Sequence, residues 1–115
     1  QAQIWVSNGI GFTPFLARLN ELAKQPATQP IDWFHADRNL PAETLAHWQQ
    51  LAQQANVNFH YIPSETQRLT VEHIGQTVRD SANRSLWLCG SRNFTRSISD
   101  NLKTRSQHME FFEFR

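Results

Sequence analysis

Apolar residues along this chain follow two rhythms that take turns. Short runs that alternate or are continuously apolar read as strands: Ile4 to Ser7, Ile31 to Ala36, Val57 to Ile62, Leu86 to Cys89, and His108 to Phe114. Between them lie segments with apolar residues three and four apart, the spacing of one helix face. The first carries Phe15, Leu16, Leu19, Leu22 and Ala23. The second starts at Pro41 and carries Leu45, Trp48, Leu51, Ala52 and Ala55. A short third helix, capped by Thr70, holds Val71, Ile74 and Val78, and a last one holds Phe94, Ile98 and Leu102. Two prolines mark the loop Gln25 to Pro30, and Pro63 stops the third strand. The continuous run Leu86-Trp87-Leu88-Cys89 suits a strand buried on both faces.

Strands separated by helices predict an α/β fold: a five-stranded parallel sheet with helices on both faces, Rossmann-like, joined by right-handed crossovers. In the order 3-2-1-4-5 the first and fourth strands are neighbours. The loops Asn8 to Thr13 and Cys89-Gly90-Ser91 then open on one crevice at the carboxyl edge, where such sheets take ligands.

The first of those loops carries the sharpest chemical signal. Ser7-Asn8-Gly9-Ile10-Gly11-Phe12-Thr13-Pro14 runs from strand to helix. Its glycines allow a sharp turn and close ligand approach, and the helix behind it presents free N–H groups suited to phosphate. Pro14 fits a first helical turn, where its missing N–H is no loss. The pattern is Gly-x-Gly-x-x-Pro rather than Gly-x-Gly-x-x-Gly, and a purely structural turn is the competing reading. Thr13 can bond either a phosphate or the helix's own N–H groups.

Composition narrows the field. A chain of 115 residues suits one domain. A net charge of +1 gives no case for nucleic acid or a membrane surface. No stretch approaches the roughly 20 apolar residues of a spanning helix. The single cysteine, Cys89, rules out an internal disulfide and a cysteine-held cluster within this chain, and a reducing compartment is expected. His35, His47, His60, His73 and His108 show no metal-ligand spacing, so no metal site is expected. The first residue is Gln1 and the last run is Phe111-Phe112-Glu113-Phe114-Arg115, edges expected of a domain cut from a longer chain.

Four motifs occur in order: Ser7 to Pro14, Trp33-Phe34-His35-Ala36, Leu88-Cys89-Gly90, and His108-x-Glu110-x-Phe112. Together they resemble the NAD(P)-binding domain of the ferredoxin–NADP reductase superfamily over nearly the whole chain. The Phe-Glu-Phe-Arg ending looks most like bacterial ferric reductase-like membrane flavoproteins, relatives of NADPH oxidases. Flavohaemoglobin reductase domains are also similar. The resemblance implies that residues 1–115 are the nucleotide-binding C-terminal part of a longer flavoprotein. An upstream domain would hold FAD, and membrane members add a haem-binding helical domain. It implies hydride transfer from NAD(P)H to that flavin, with ferric iron or oxygen as later acceptors. It further implies an oxidoreductase whose isolated fragment is inactive, working on the cytoplasmic face of a membrane in an integral membrane protein.

The same resemblance assigns residues. Gly9, Ile10, Gly11, Thr13 and Pro14 would cradle the pyrophosphate. Cys89 would lie beside the nicotinamide, shaping geometry without acting as a nucleophile. Gly90 and Ser91 would line the same end, with Ser91 standing where the family has proline. Glu110 and Phe112 would face the flavin, with Phe114 the reserve aromatic. For the adenosine 2′-phosphate the candidates are Arg38, Ser64 and Arg68, which tilts the coenzyme toward NADPH. Asp37 beside Arg38 pulls the other way, because a carboxylate suits the free ribose hydroxyls of NADH. Arg92, Arg96, Lys103 and Arg105 make the last helix basic, either solvated or facing a partner domain. Two other functions remain open: a non-catalytic nucleotide-binding regulatory domain, and the reductase lobe of a flavohaemoglobin or oxygenase system.

Overall fold

Each strand presents one row of side chains to each face of the sheet, and helix stripes pack on both faces. A computed structural model describes residues 1–112. The chain runs β1 (Gln3–Asn8), a tight 3-10 turn (Gly9–Phe12), α1 (Thr13–Lys24), β2 (Ile31–Asp37), α2 (Ala42–Ala55) and β3 (Asn58–Pro63). It continues through α3 (Val71–Thr77), β4 (Ser85–Ser91), α4 (Arg92–Asn101) and β5 (Ser106–Phe112). The sheet order is β3-β2-β1-β4-β5, every neighbouring pair is parallel, and the predicted 3-2-1-4-5 arrangement is the one found.

Local chemistry explains the element ends. Thr70 caps α3 as expected, its hydroxyl accepting from His73 N–H at 3.1 Å. Helix α2 stops at Asn56, which takes the left-handed conformation at φ 59°, and Val57 N–H returns to the Ala52 carbonyl. That turn uses Val57, so β3 begins one residue later than the apolar pattern suggests.

The two faces have different cores. One is mainly aliphatic: Ile4, Val6, Leu86 and Leu88 pack with Phe34 against Ile74 of α3 and Ile98 of α4. The other is aromatic: Trp5 and Trp33 meet Phe15 of α1 and Trp48 of α2. Trp33 stacks on Trp48 with centroids 5.6 Å apart, and Trp5 on Phe15 at 5.4 Å. Such aromatic pairs add about 0.5–1.5 kcal/mol each beyond the area they bury. Truncating the fully buried Trp33 to Ala would cost about 3–5 kcal/mol.

One expectation about the core fails. Strand β4 is not buried along both faces, because Trp87 is 38% exposed. Helix α1 borders, rather than covers, the β4–β5 side of the aromatic face. Trp87 therefore lines a groove there and stacks on His108 of β5, with centroids 3.9 Å apart and planes 15° from parallel.

Candidate functional site

The turn between β1 and α1 is built against the end of β4. Gly11 is buried, and a side chain there would collide with the Cys89 carbonyl. Its smallness thus serves a close backbone packing, whatever else it allows. Thr13 Oγ1 donates to the Ile10 carbonyl at 3.0 Å and closes the turn. Of the two partners expected of it from sequence, the hydroxyl does not take the helix's own N–H groups but donates within the turn. Pro14 occupies the first turn of α1, which continues directly from the 3-10 turn, and the Thr13 N–H is already bonded to the Ile10 carbonyl. Ile10 projects outward and is 55% exposed.

Asn8 joins this turn to the start of α4. Its Oδ1 accepts from Ser91 N–H at 3.0 Å, and its Nδ2 donates to Ser91 Oγ at 3.2 Å. Gly90 leaves the space that the Asn8 side chain fills. A proline in place of Ser91 would have no N–H to offer Asn8. The serine found in this chain is used.

Two concave regions touch opposite ends of the turn. A cavity of about 600 Å³ lies where the carboxyl ends of β1, β2 and β3 meet α4. It brings together Gly9, Arg38, Ser64 and Arg68 from the sequence-derived set, with Asn93 and Ser97 of α4 opposite. Its lining has one acid, Asp37, and two bases, Arg38 and Arg68. Asn39, two residues past β2, takes the left-handed conformation at φ 52°, which asparagine tolerates. Ser64 N–H donates to the Asp37 carbonyl at 2.8 Å, joining the ends of β2 and β3 beneath the cavity.

The second region, a groove of about 650 Å³, runs between α1 and the β4–β5 side of the sheet. It contains Pro14, Cys89 and Glu110, with Trp87 and His108 farther down the strands. Cys89 pairs with Glu110 across the β4–β5 ladder, and Ser91 with Phe112. Burial pushes the Cys89 thiol above its ordinary range, and the Glu110 charge adds to the rise. The residue therefore stays a thiol at neutral pH and is no activated nucleophile. Phe114 lies outside the described residues.

A further group was not singled out from sequence. His35 is fully buried, and its Nδ1 lies 2.7 Å from Ser7 Oγ while its Nε2 lies 3.1 Å from Asp37 Oδ2. Trp33 Nε1 donates to the same Ser7 oxygen at 2.9 Å. A carboxylate can only accept, so Nε2 carries a proton. Burial holds the His35 pKa below its ordinary value despite the nearby carboxylate, so the ring is neutral and Nδ1 accepts from the Ser7 hydroxyl. Asp37 Oδ1 accepts from Arg38 N–H at 2.8 Å. The motif Trp33-Phe34-His35-Ala36 marked the place. The link from Ser7 to His35 spans 28 residues and becomes visible only through the β1–β2 register. Among the described residues no cluster of His, Cys, Asp or Glu could hold a metal ion, and no helix is long and apolar enough to cross a membrane.

The strand order defines a parallel α/β fold with a crevice at the carboxyl edge of its sheet. No family model matches the chain. Solved structures do resemble it. Flavohaemoglobin from Malassezia yamatoensis, determined with bound FAD and haem, is similar with a TM-score of 0.76. It shares 23% identity, over 98% of this chain and 32% of its own. Ferredoxin-NADP+ reductase from Plasmodium falciparum gives 0.66 at 19% identity, over 97% of this chain and 52% of its own. The flavohaem-like FAD/NAD-binding domain of nitric oxide dioxygenase from Vibrio cholerae gives 0.63 at 20% identity, over 96% and 50%. This chain thus spans from about a third to about half of those proteins. It has an α/β fold matching the NAD-binding domains of ferredoxin–NADP reductase-like proteins.

Proposed function

We propose that this chain is the pyridine-nucleotide-binding lobe of a flavin-dependent oxidoreductase of the ferredoxin–NADP reductase superfamily. The observation that carries the reading is the pair of guanidinium groups on the carboxyl-edge cavity. Arg38 and Arg68 both line it, and neither side chain has a partner among the described residues. Two such cations beside Gly9 of the glycine turn suit a ligand with several phosphates.

In this reading the adenosine half of NAD(P)H occupies the cavity, with a 2′-phosphate between Arg38, Ser64 and Arg68. The pyrophosphate meets Gly9 to Pro14. The nicotinamide reaches Gly90, Ser91 and Cys89, with Glu110 and Phe112 bordering the far side and Phe114 the alternative aromatic. The chain's contribution is positioning. FAD, held by another domain of the same protein, would supply the acceptor for the hydride. The motif Phe111-Phe112-Glu113-Phe114-Arg115 favours a membrane ferric reductase, with the lobe on the cytoplasmic face and a haem-binding membrane domain. A flavohaemoglobin-like arrangement follows from the Trp33-Phe34-His35-Ala36 motif. Membrane helices or a globin in the sequence joined to this lobe would decide between them.

Calorimetric titration with NADPH and NADH tests the reading. Saturable binding, stronger for NADPH, is expected, without hydride transfer by the lobe alone. Absence of binding to either coenzyme would overturn it. Binding by the full-length protein without NAD(P)H-driven flavin reduction would favour a regulatory domain instead.

A further inference from the structure

Asp37 sits at the end of β2, where a carboxylate in a parallel nucleotide-binding sheet commonly takes the two ribose hydroxyls and so selects the coenzyme lacking a 2′-phosphate. In this chain the same position is followed at once by Arg38, whose guanidinium would select the opposite coenzyme. Both side chains line one cavity, and they cannot both decide.

The hydrogen bonds separate them. Asp37 Oδ2 is drawn inward by His35 Nε2 at 3.1 Å, and Oδ1 takes Arg38 N–H at 2.8 Å. The side chain is 24% exposed, whereas His35 beneath it is fully buried. His35 itself cannot turn away. Its other nitrogen is committed to Ser7, and its ring packs edge-on against Phe12 and Trp48. Ser7 is fixed in turn by the Trp33 indole. A chain of hydrogen bonds thus runs from the aromatic core to the rim of the cavity and ends by holding the carboxylate down. The Arg38 and Arg68 side chains, with no internal partner among the described residues, are left to meet the ligand.

We propose that His35 is a positioning residue for coenzyme choice: it ties Asp37 away from the ribose, so that the cavity reads a phosphorylated ribose through Arg38 and Arg68. The inference rests on the proposed nucleotide-binding function and deepens it. It assigns the preference to a residue that touches no coenzyme.

The test compares 2′-phospho-ADP-ribose with ADP-ribose by calorimetry. The unmodified protein should prefer the phosphorylated ligand by roughly tenfold or more, the size of one charge-assisted contact. If it binds neither ligand, the proposed function fails and takes this inference with it. If it binds both equally or prefers ADP-ribose, the inference alone is overturned. His35→Phe fills the ring's place and removes both its hydrogen bonds. Asp37 is then free to accept the ribose hydroxyls and to repel the phosphate, and the preference should fall by roughly tenfold. Adding Asp37→Asn to that variant should restore the preference, which repair of mere packing damage would not do. Asp37→Asn alone should leave ADP-ribose affinity within about twofold, because the carboxylate does not touch the ribose in the unmodified protein. His35→Gln, which keeps a donor toward Asp37, should retain the preference. A fivefold or greater loss of ADP-ribose affinity in Asp37→Asn would show that Asp37 already reads the ribose. An unchanged preference in folded His35→Phe, or no recovery in the double variant, would equally overturn the proposal. Should His35→Phe not fold, Asp37→Asn and His35→Gln decide it.

Discussion

Strand β2 carries an aspartate near each end, and each aspartate meets a histidine. At the amino end Asp32 bonds His60 at 2.7 Å, and at the carboxyl end Asp37 bonds His35 at 3.1 Å. The surroundings then diverge. Asp32 is also held by Arg84 at 2.6 Å, and Arg84 reaches on to Asp80 at 2.9 Å and to the Gln3 carbonyl. Both members of the central pair are buried, and every charge there has an opposite charge against it. At the carboxyl end the neighbouring guanidinium groups, Arg38 and Arg68, are turned to a cavity instead. A closed network of buried charges stabilises the sheet. Cations without internal partners among the described residues, on a concave edge, suit an anionic ligand. The comparison supports the proposed placing of the ligand at one end of a strand whose two ends look alike in sequence.

The largest effect should come from breaking the closed end. Arg84→Met leaves Asp32 buried with its main countercharge gone, and such losses cost about 3–5 kcal/mol. Urea unfolding should show this, while nucleotide affinity of the folded fraction stays the same. A loss below about 1 kcal/mol would mean that the amino-end network is not the structural element described.

At the proposed ligand-binding end, Gly11 also has a packing role. Gly11→Val drives a side chain into the Cys89 carbonyl, and overpacking of this kind costs about 1–3 kcal/mol. Thermal unfolding should shift before any change in affinity can be assigned to the ligand. An unshifted transition would show that the turn relaxes freely. Arg38→Ala and Arg68→Ala should reverse this pattern. Each should weaken NADPH roughly tenfold, leave NADH nearly unchanged, and leave stability within about 0.5 kcal/mol. Equal loss for both coenzymes would move the phosphate elsewhere.

The smallest effect is a separation in pH. Burial alone would raise the Asp32 pKa, but hydrogen bonds from His60 and Arg84 and their charges outweigh it and hold it below the ordinary value. Its contribution to stability is present above the unfolded carboxylate pKa of about 4 and is lost as pH falls through the lower folded value. His35 is depressed by burial, so its neutral form is favoured in the folded chain. Its contribution is present above about pH 6.5 and declines as pH falls from there toward the folded pKa. Stability should therefore decline in two stages on acidification. His35→Phe should remove the upper stage and leave the lower. A single stage near pH 4 in the unmodified protein would contradict the buried, neutral histidine.

Much of the architecture was legible in the chain because it depends on local pattern. Alternation and helical spacing located every strand and helix of the sheet, and Thr70 declared its cap. The parallel order followed from alternating elements and crossover handedness. What was hidden depends on contacts between distant residues. Ser7, His35 and Asp37 meet only once β1 and β2 are in register. The Asn8–Ser91 pair spans 83 positions, and neither residue type announces the other. The packing role of Gly11 against the Cys89 carbonyl, which stands beside the ligand contact expected of it, is likewise hidden until the fold is seen. Trp87 looked like core because an apolar run carries no record of where the covering helix ends. At the candidate site, the glycine turn, Arg38, Ser64 and Arg68 were all named in advance, and the structure sets Gly9 with the other three around one cavity.

The central claim is that the carboxyl edge, and not the amino edge, is the ligand-binding end of this sheet. Backbone amide shifts during titration with NADPH test it most directly. The account predicts saturable shifts at Gly9, Ile10 and Gly11, at Arg38 and at Ser64 to Arg68, with Asp32 and Arg84 silent. Shifts centred on Asp32 and Arg84, or none at the turn and the two arginines, would contradict it.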